Sequence, residues 1–84
     1  MEWNRLKRRH IRVSAFTNIQ IELNVYIEGK YAVAMVDTYS IGQNAYSVVS
    51  FHAEYKSLEV AEDAYRKLDN ILDTLVELKE AEVI

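Results

Sequence analysis

Two histidines, His10 and His52, and no cysteine make up the soft metal ligands of this 84-residue chain. His52-Ala53-Glu54 reads H-x-E, half of a zinc-deaminase signature whose other half needs two cysteines. Alternation puts His52 and Glu54 on one strand face with Asp37 a strand away, but a convincing third ligand is missing. Ser40, Ser47 and Ser50 have no base beside them in sequence, and no glycine-rich loop precedes a helix to cradle a phosphate. The inventory points away from catalysis, from metals and from cofactors.

Charge offers two other chemistries. Residues 1–12 hold Arg5, Lys7, Arg8, Arg9 and Arg12 against Glu2, a net +4, while the remainder sums to −7. Residues 1–9 read as a basic arm, and its cations could contact phosphates. Base-stacking aromatics would be needed nearby, and the acidic remainder would repel nucleic acid. On the C-terminal stretch, Asp69, Asp73 and Glu77 recur every four residues and Glu80 extends the row. Like charges at that spacing weaken a helix slightly, so local stability does not ask for them. Such a row could dock on a basic partner or imitate a phosphate backbone. A solvated face is the plainer account.

Length sets one domain, with a thin margin of buried surface. The absence of cysteine excludes a disulfide framework and thiolate metal sites. No apolar run approaches the roughly 18 residues of a membrane span, and no apolar signal core follows the basic start. These features lead us to expect a soluble, cytoplasmic protein.

The elements follow from periodicity. Ile19 to Glu28 alternates without error, with Ile19, Ile21, Leu23, Val25 and Ile27 on one side. That period of two makes a strand with one buried face. Ile11 to Phe16 forms a strand before it, with Thr17-Asn18 a turn candidate. A two-residue turn there puts Phe16 inward, whereas a bulge or longer turn brings in Ile11, Val13 and Ala15. Residues 1–10 fit either a short helical turn or a lead into this strand.

Glu28-Gly29 or Gly29-Lys30 supplies the next tight turn. Either choice places Ala32, Ala34, Val36 and Thr38 of the strand Tyr31–Tyr39 with the buried set, and turns Tyr31, Val33, Met35 and Asp37 outward. A loop at Ile41–Asn44 then registers Val49, Phe51, Ala53 and Tyr55 of the strand Ala45–Tyr55 with the core. Ser57 caps a helix from Leu58 to about Glu82, where Leu58, Ala61, Ala64, Tyr65, Leu68, Ile71, Leu72, Leu75 and Leu78 recur at three and four. Glu62–Arg66 and Asp63–Lys67 are i,i+4 pairs. The fold class is α+β: a four-stranded antiparallel sheet with one long C-terminal helix packed on one face, in the order β-β-β-β-α.

With this register the outer sheet face collects Tyr26, Tyr31, Val33, Met35, Tyr46, Val48 and His52. Aromatic residues and methionine among carboxylates have the composition of a binding surface. Covering of this face by the segment around Trp3 and Leu6 is the structural alternative. The order of elements and the stretch from Asn24 to Leu68, NVYIEGKYAVAMVD and later SLEVAEDAYRKL, resemble small phage-encoded inhibitor proteins of the anti-CRISPR type. The resemblance covers about half of the chain, implies inhibition of a host protein without catalysis, and transfers no residue role. The sequence reads as a non-enzymatic interaction module whose partner is another protein, a second copy forming a homodimer, or both. The partner-binding residues are expected to be Tyr26, Tyr31, Val33, Met35, Tyr46 and His52. Nucleic-acid binding through the basic arm is the contrasting expectation.

Overall fold

The computed structural model describes residues 3–26 and 29–82. Four strands, β1 (Trp3–Ser14), β2 (Thr17–Tyr26), β3 (Tyr31–Ile41) and β4 (Asn44–Tyr55), pair antiparallel in chain order, and α1 (Leu58–Ala81) follows. The helix lies on one face of the sheet, which makes a two-layer α+β fold as the periodicities require. The N-terminal segment is strand from Trp3 onward, which decides between the readings open for residues 3–10, while Met1 and Glu2 lie outside the described residues.

Three connections decide which side chains face α1. The Tyr26 amide donates to the Lys30 carbonyl at 2.8 Å, and the Gly29 amide to the Tyr26 carbonyl at 3.0 Å. Three residues therefore separate the facing positions, not two, and Gly29 carries the positive φ of 79° that such a turn demands. Changing an even connection to an odd one reverses every side chain of the following strand. Met35 consequently pairs with Ile21, Val33 with Leu23 and Tyr31 with Val25. The expected orientation of β3 is thus corrected: Tyr31, Val33, Met35 and Asp37 face the helix, and Ala32, Ala34, Val36 and Thr38 face away. The expectations for Ile27 and Glu28 lie outside the described residues.

Between β1 and β2 the turn is Ala15-Phe16, not Thr17-Asn18, and Ser14 pairs with Thr17. A bulge between Arg12 and Ser14 then brings Ile11 opposite Ile19, on the helix side. A second irregularity between Arg5 and Lys7 leaves Lys7, Arg9 and Ile11 facing the helix and Arg5 facing away. Between β3 and β4 the loop shrinks to Gly42-Gln43, with φ of 61° at Gly42, as a two-residue hairpin with glycine first requires. Val36 still meets Val49, but a bulge at Ser50 shifts the ladder so that Met35 meets Phe51, Val33 meets Ala53 and Tyr31 meets Tyr55. Phe51, Ala53 and Tyr55 face the helix as expected. Val49 does not.

Ser57 caps α1 by accepting from the Val60 amide. Ala61, Tyr65, Leu68 and Leu72 descend onto Ile21, Leu23 and Val33, with Ile11, Ile19, Tyr31, Met35, Tyr55 and Ala64 around them. Ile21, Leu23, Val33 and Leu72 are completely buried, each worth about 1.5–3 kcal/mol relative to exposure. The core is centred on β2 and β3, and α1 makes its fewest contacts with β4.

Candidate interaction surface

The six residues expected to form one binding face are not brought together. Val33 is core, and Tyr31 and Met35 pack against it. Tyr46 pairs with Tyr39 and so lies on the helix side, beyond the reach of α1 and 54% exposed. Tyr26 and His52 remain on the outer face, the first on β2 and the second on β4 opposite Ala34. Asp37 lies on the side opposite to His52, which removes the third ligand considered for a metal. No cluster of three or more potential ligands occurs among the described residues.

What occupies the outer face is a polar network over small residues. Glu22 accepts from Gln20, from Asn24 at 3.2 Å and from Arg5 at 3.0 Å. Beside it run Ala32, Ala34 and Val36, with Ala32 almost wholly buried by its taller neighbours. This is an ordinary half-solvated sheet face.

The acidic row has an intramolecular use. Arg9, projecting from β1, reaches Asp69 at 2.8 Å and Asp73 at 2.7 Å, and also donates to the Asp69 carbonyl at 3.2 Å. One guanidinium thus offsets the repulsion between two carboxylates a turn apart, and the hydrogen bonds it donates to both aspartates hold it more firmly protonated than usual. The free carboxylate face expected from the sequence is reduced to Glu77 and Glu80, both exposed.

The basic arm is corrected in the same way: residues 3–9 belong to a sheet strand. Lys7 stands 3.5 Å from Glu62 and 5.8 Å above the Tyr65 ring. Arg12 donates to the Ser14 and Ala15 carbonyls of the β1–β2 turn, and Arg8 is exposed on the outer face. Glu62 therefore turns to Lys7, and not to Arg66 as i,i+4 spacing suggested. Asp63 instead takes both Arg66 and Lys67, and its hydrogen bond with Lys67 lowers its pKa. Burial raises the pKa of Tyr65 above the ordinary 10.0, reinforced by Asp69.

The surface that sequence reasoning missed is the side of the molecule away from β1. Every β4 residue is exposed except Ala53 and Tyr55, which are half-buried. On the helix side, Tyr46, Val48 and Phe51 form a floor that α1 does not cover. The helix flank above it carries Val60, Ile71 and Leu78, which are 51%, 48% and 63% exposed. A groove of about 270 Å³ runs between floor and flank, lined by Phe51, Tyr55, Val60, Ala64 and Leu68, with Asp63 and Lys67 at its rim.

Two signals in the sequence could have found it. The apolar arc of α1 is wider than one sheet of this size can bury. Moreover, the twelve residues of β4 contain Glu54 and His52 but no lysine, arginine or proline, which leaves the bulge at Ser50 as the main guard of this edge. Compared with protein-family models, with curated proteins and with solved structures, the chain matches none.

Proposed function

We propose that this protein is a non-enzymatic interaction module that binds another protein chain along β4 and the groove between β4 and α1. The observation that carries this reading is the coincidence of a twelve-residue edge strand free of lysine, arginine and proline with exposed Tyr46, Val48 and Phe51 beneath an exposed apolar helix flank. An edge offers a row of unpaired backbone groups to an added strand, and the apolar side chains beside it give that strand something to pack on. Exposed apolar surface gathered in one place marks interaction sites more often than scattered residues do.

The reading keeps protein binding and moves it from the outer face to the β4 side. It leaves out the inhibitory role implied by the resemblance, for which no residue of the fold speaks. It also ranks above nucleic-acid binding, because Lys7 and Arg9 are committed to the helix carboxylates and Arg5 to Glu22.

The test is a comparison of two columns, one carrying the protein and one its Val48→Lys variant, each challenged with source-cell extract and with the free protein itself. Proteins retained by the first and lost from the second are expected. If both columns retain the same set, β4 is not a binding surface and the reading fails.

A further inference from the structure

We propose that the chain β4 receives is a second copy of itself, paired antiparallel about a twofold axis between Val49 and Ser50, so that two sheets join into one of eight strands. This inference rests on the interaction reading above and names its partner.

The bulge at Ser50 is the first argument. On either side of it the facing of β4 is mirrored. Val48 and Phe51 both face the helix side, as do Tyr46 and Ala53, while Ser47 and His52 both face outward. A regular strand meeting its own copy around a point between two residues would set helix-side positions against outward ones. Here the extra residue removes that conflict, and the mirrored pattern fits its own reverse. Val48 then meets Phe51 of the second copy, twice by symmetry. Tyr46 meets Ala53, a large side chain against a small one, and Ser47 meets His52. Aromatic against β-branched is a favourable cross-strand combination, and no like charges oppose each other in this register.

Charge is the second argument. Self-pairing of the other edge, β1, would set Arg5, Lys7, Arg8, Arg9 and Arg12 against their own copies. Pairing β1 with β4 of another copy is heterologous and builds a ring or an open filament, not a twofold pair. Of the two edges, β4 alone pairs with itself free of like-charge repulsion.

Exposed apolar surface is the third. Tyr46 and Val48 in the seam, and Val60, Ile71 and Leu78 on the helix flank beside it, are each about half exposed or more, and gathered on one side they offer a partner surface to bury. The twofold axis stands perpendicular to the sheet, so both helices lie on the same side. Their Val60–Ile71 flanks then look toward each other across the joined Phe51 floor.

The experiment is solution mass by light scattering behind size exclusion over a wide range of concentration. The natural protein is expected to double its mass. Val48→Lys is expected to weaken the dimer at least about tenfold, because it sets an ammonium against each Phe51 in a closing apolar seam, with helical content unchanged since residue 48 is 53% exposed. The chain has no cysteine, so the register can be read independently. A Val48→Cys chain mixed with a Phe51→Cys chain is expected to give a disulfide-linked pair on oxidation that neither gives alone.

A natural protein that stays monomeric throughout overturns the inference. So does a dimer that Val48→Lys leaves intact, or a cysteine mixture no more linked than its components. A monomer that still shows Val48-dependent retention in the column comparison refutes the second copy alone and leaves the interaction reading standing.

Discussion

The sheet has two edges, and they are built to opposite rules. β1 and β4 are each twelve residues long and each is broken by bulges. β1 carries five of the ten basic residues of the chain, and four of them are used within the fold: Lys7 and Arg9 on the helix, Arg5 on Glu22, Arg12 on its own turn, with Arg8 exposed on the outer face. β4 carries one carboxylate, one histidine and, on the helix side, Tyr46 and Val48, which stay more than half exposed among the described residues. The difference teaches what the charge asymmetry does. The positive first strand and the negative helix pair along one flank of α1, while the opposite flank carries Val60, Ile71 and Leu78 and stays exposed. The separated charges act first between the two ends of one chain.

That contrast can be broken in several ways, and the largest effect is expected in the core between the edges. Leu72→Ala should cost about 3 kcal/mol, because Leu72 is fully buried and its removal leaves a cavity. Leu78→Ala, 63% exposed on the β4 flank, should change the unfolding free energy of the monomer, read by denaturant titration, by less than about 0.5 kcal/mol. Comparable losses for the two would mean that the β4 flank already supports the isolated fold.

Arg9→Met should cost about 1 kcal/mol, since it removes two partly exposed ion pairs and leaves Asp69 and Asp73 repelling one another. Added salt should shrink that difference, whereas Lys67→Met on the opposite flank should fall below it at every ionic strength. An Arg9 effect that does not respond to salt would make its role one of packing. Gly29→Ala should cost about 1 kcal/mol through its positive φ alone, because a new Cβ would meet nothing within 4 Å. Hydrogen exchange across β3 would show whether the register survives.

The smallest effect is alkaline. The folded-state pKa of Tyr65 is raised, so its contribution is intact below the ordinary value of 10.0 and is lost as pH rises through the folded value. Stability should therefore decline above pH 10.0, and Tyr65→Phe should lessen that decline in urea titrations at alkaline pH.

The architecture was legible because β2 alternates cleanly and α1 carries a clear stripe beside a cap. The register was not. β3 has apolar residues on both faces, so Tyr31, Val33 and Met35 look no more buried in sequence than Ala32, Ala34 and Val36. One residue of connection length decides between them. The core half of β4 was read correctly because two shifts cancel, the reversal of β3 and the bulge at Ser50. The candidate site fared worse for the same reason, since a binding face drawn from the wrong side of β3 is a drawing of the core. The purpose of Asp69 and Asp73 was invisible because their partner lies sixty residues away in sequence, and charge spacing reports only neighbours on the helix.

The order of the elements has a consequence for how the chain folds as it is made. Each strand pairs with the one synthesised just before it, so the sheet grows by short hairpins that close at little entropic cost. The helix arrives last, and with it the far halves of the Lys7–Glu62 and Arg9–Asp69 contacts. Until Leu68 and Leu72 emerge, Ile21, Leu23 and Val33 have no helix to pack against. That nascent stage, with the helix-facing residues and the edge strand β4 exposed together, is the one at which a chaperone would matter most to this protein.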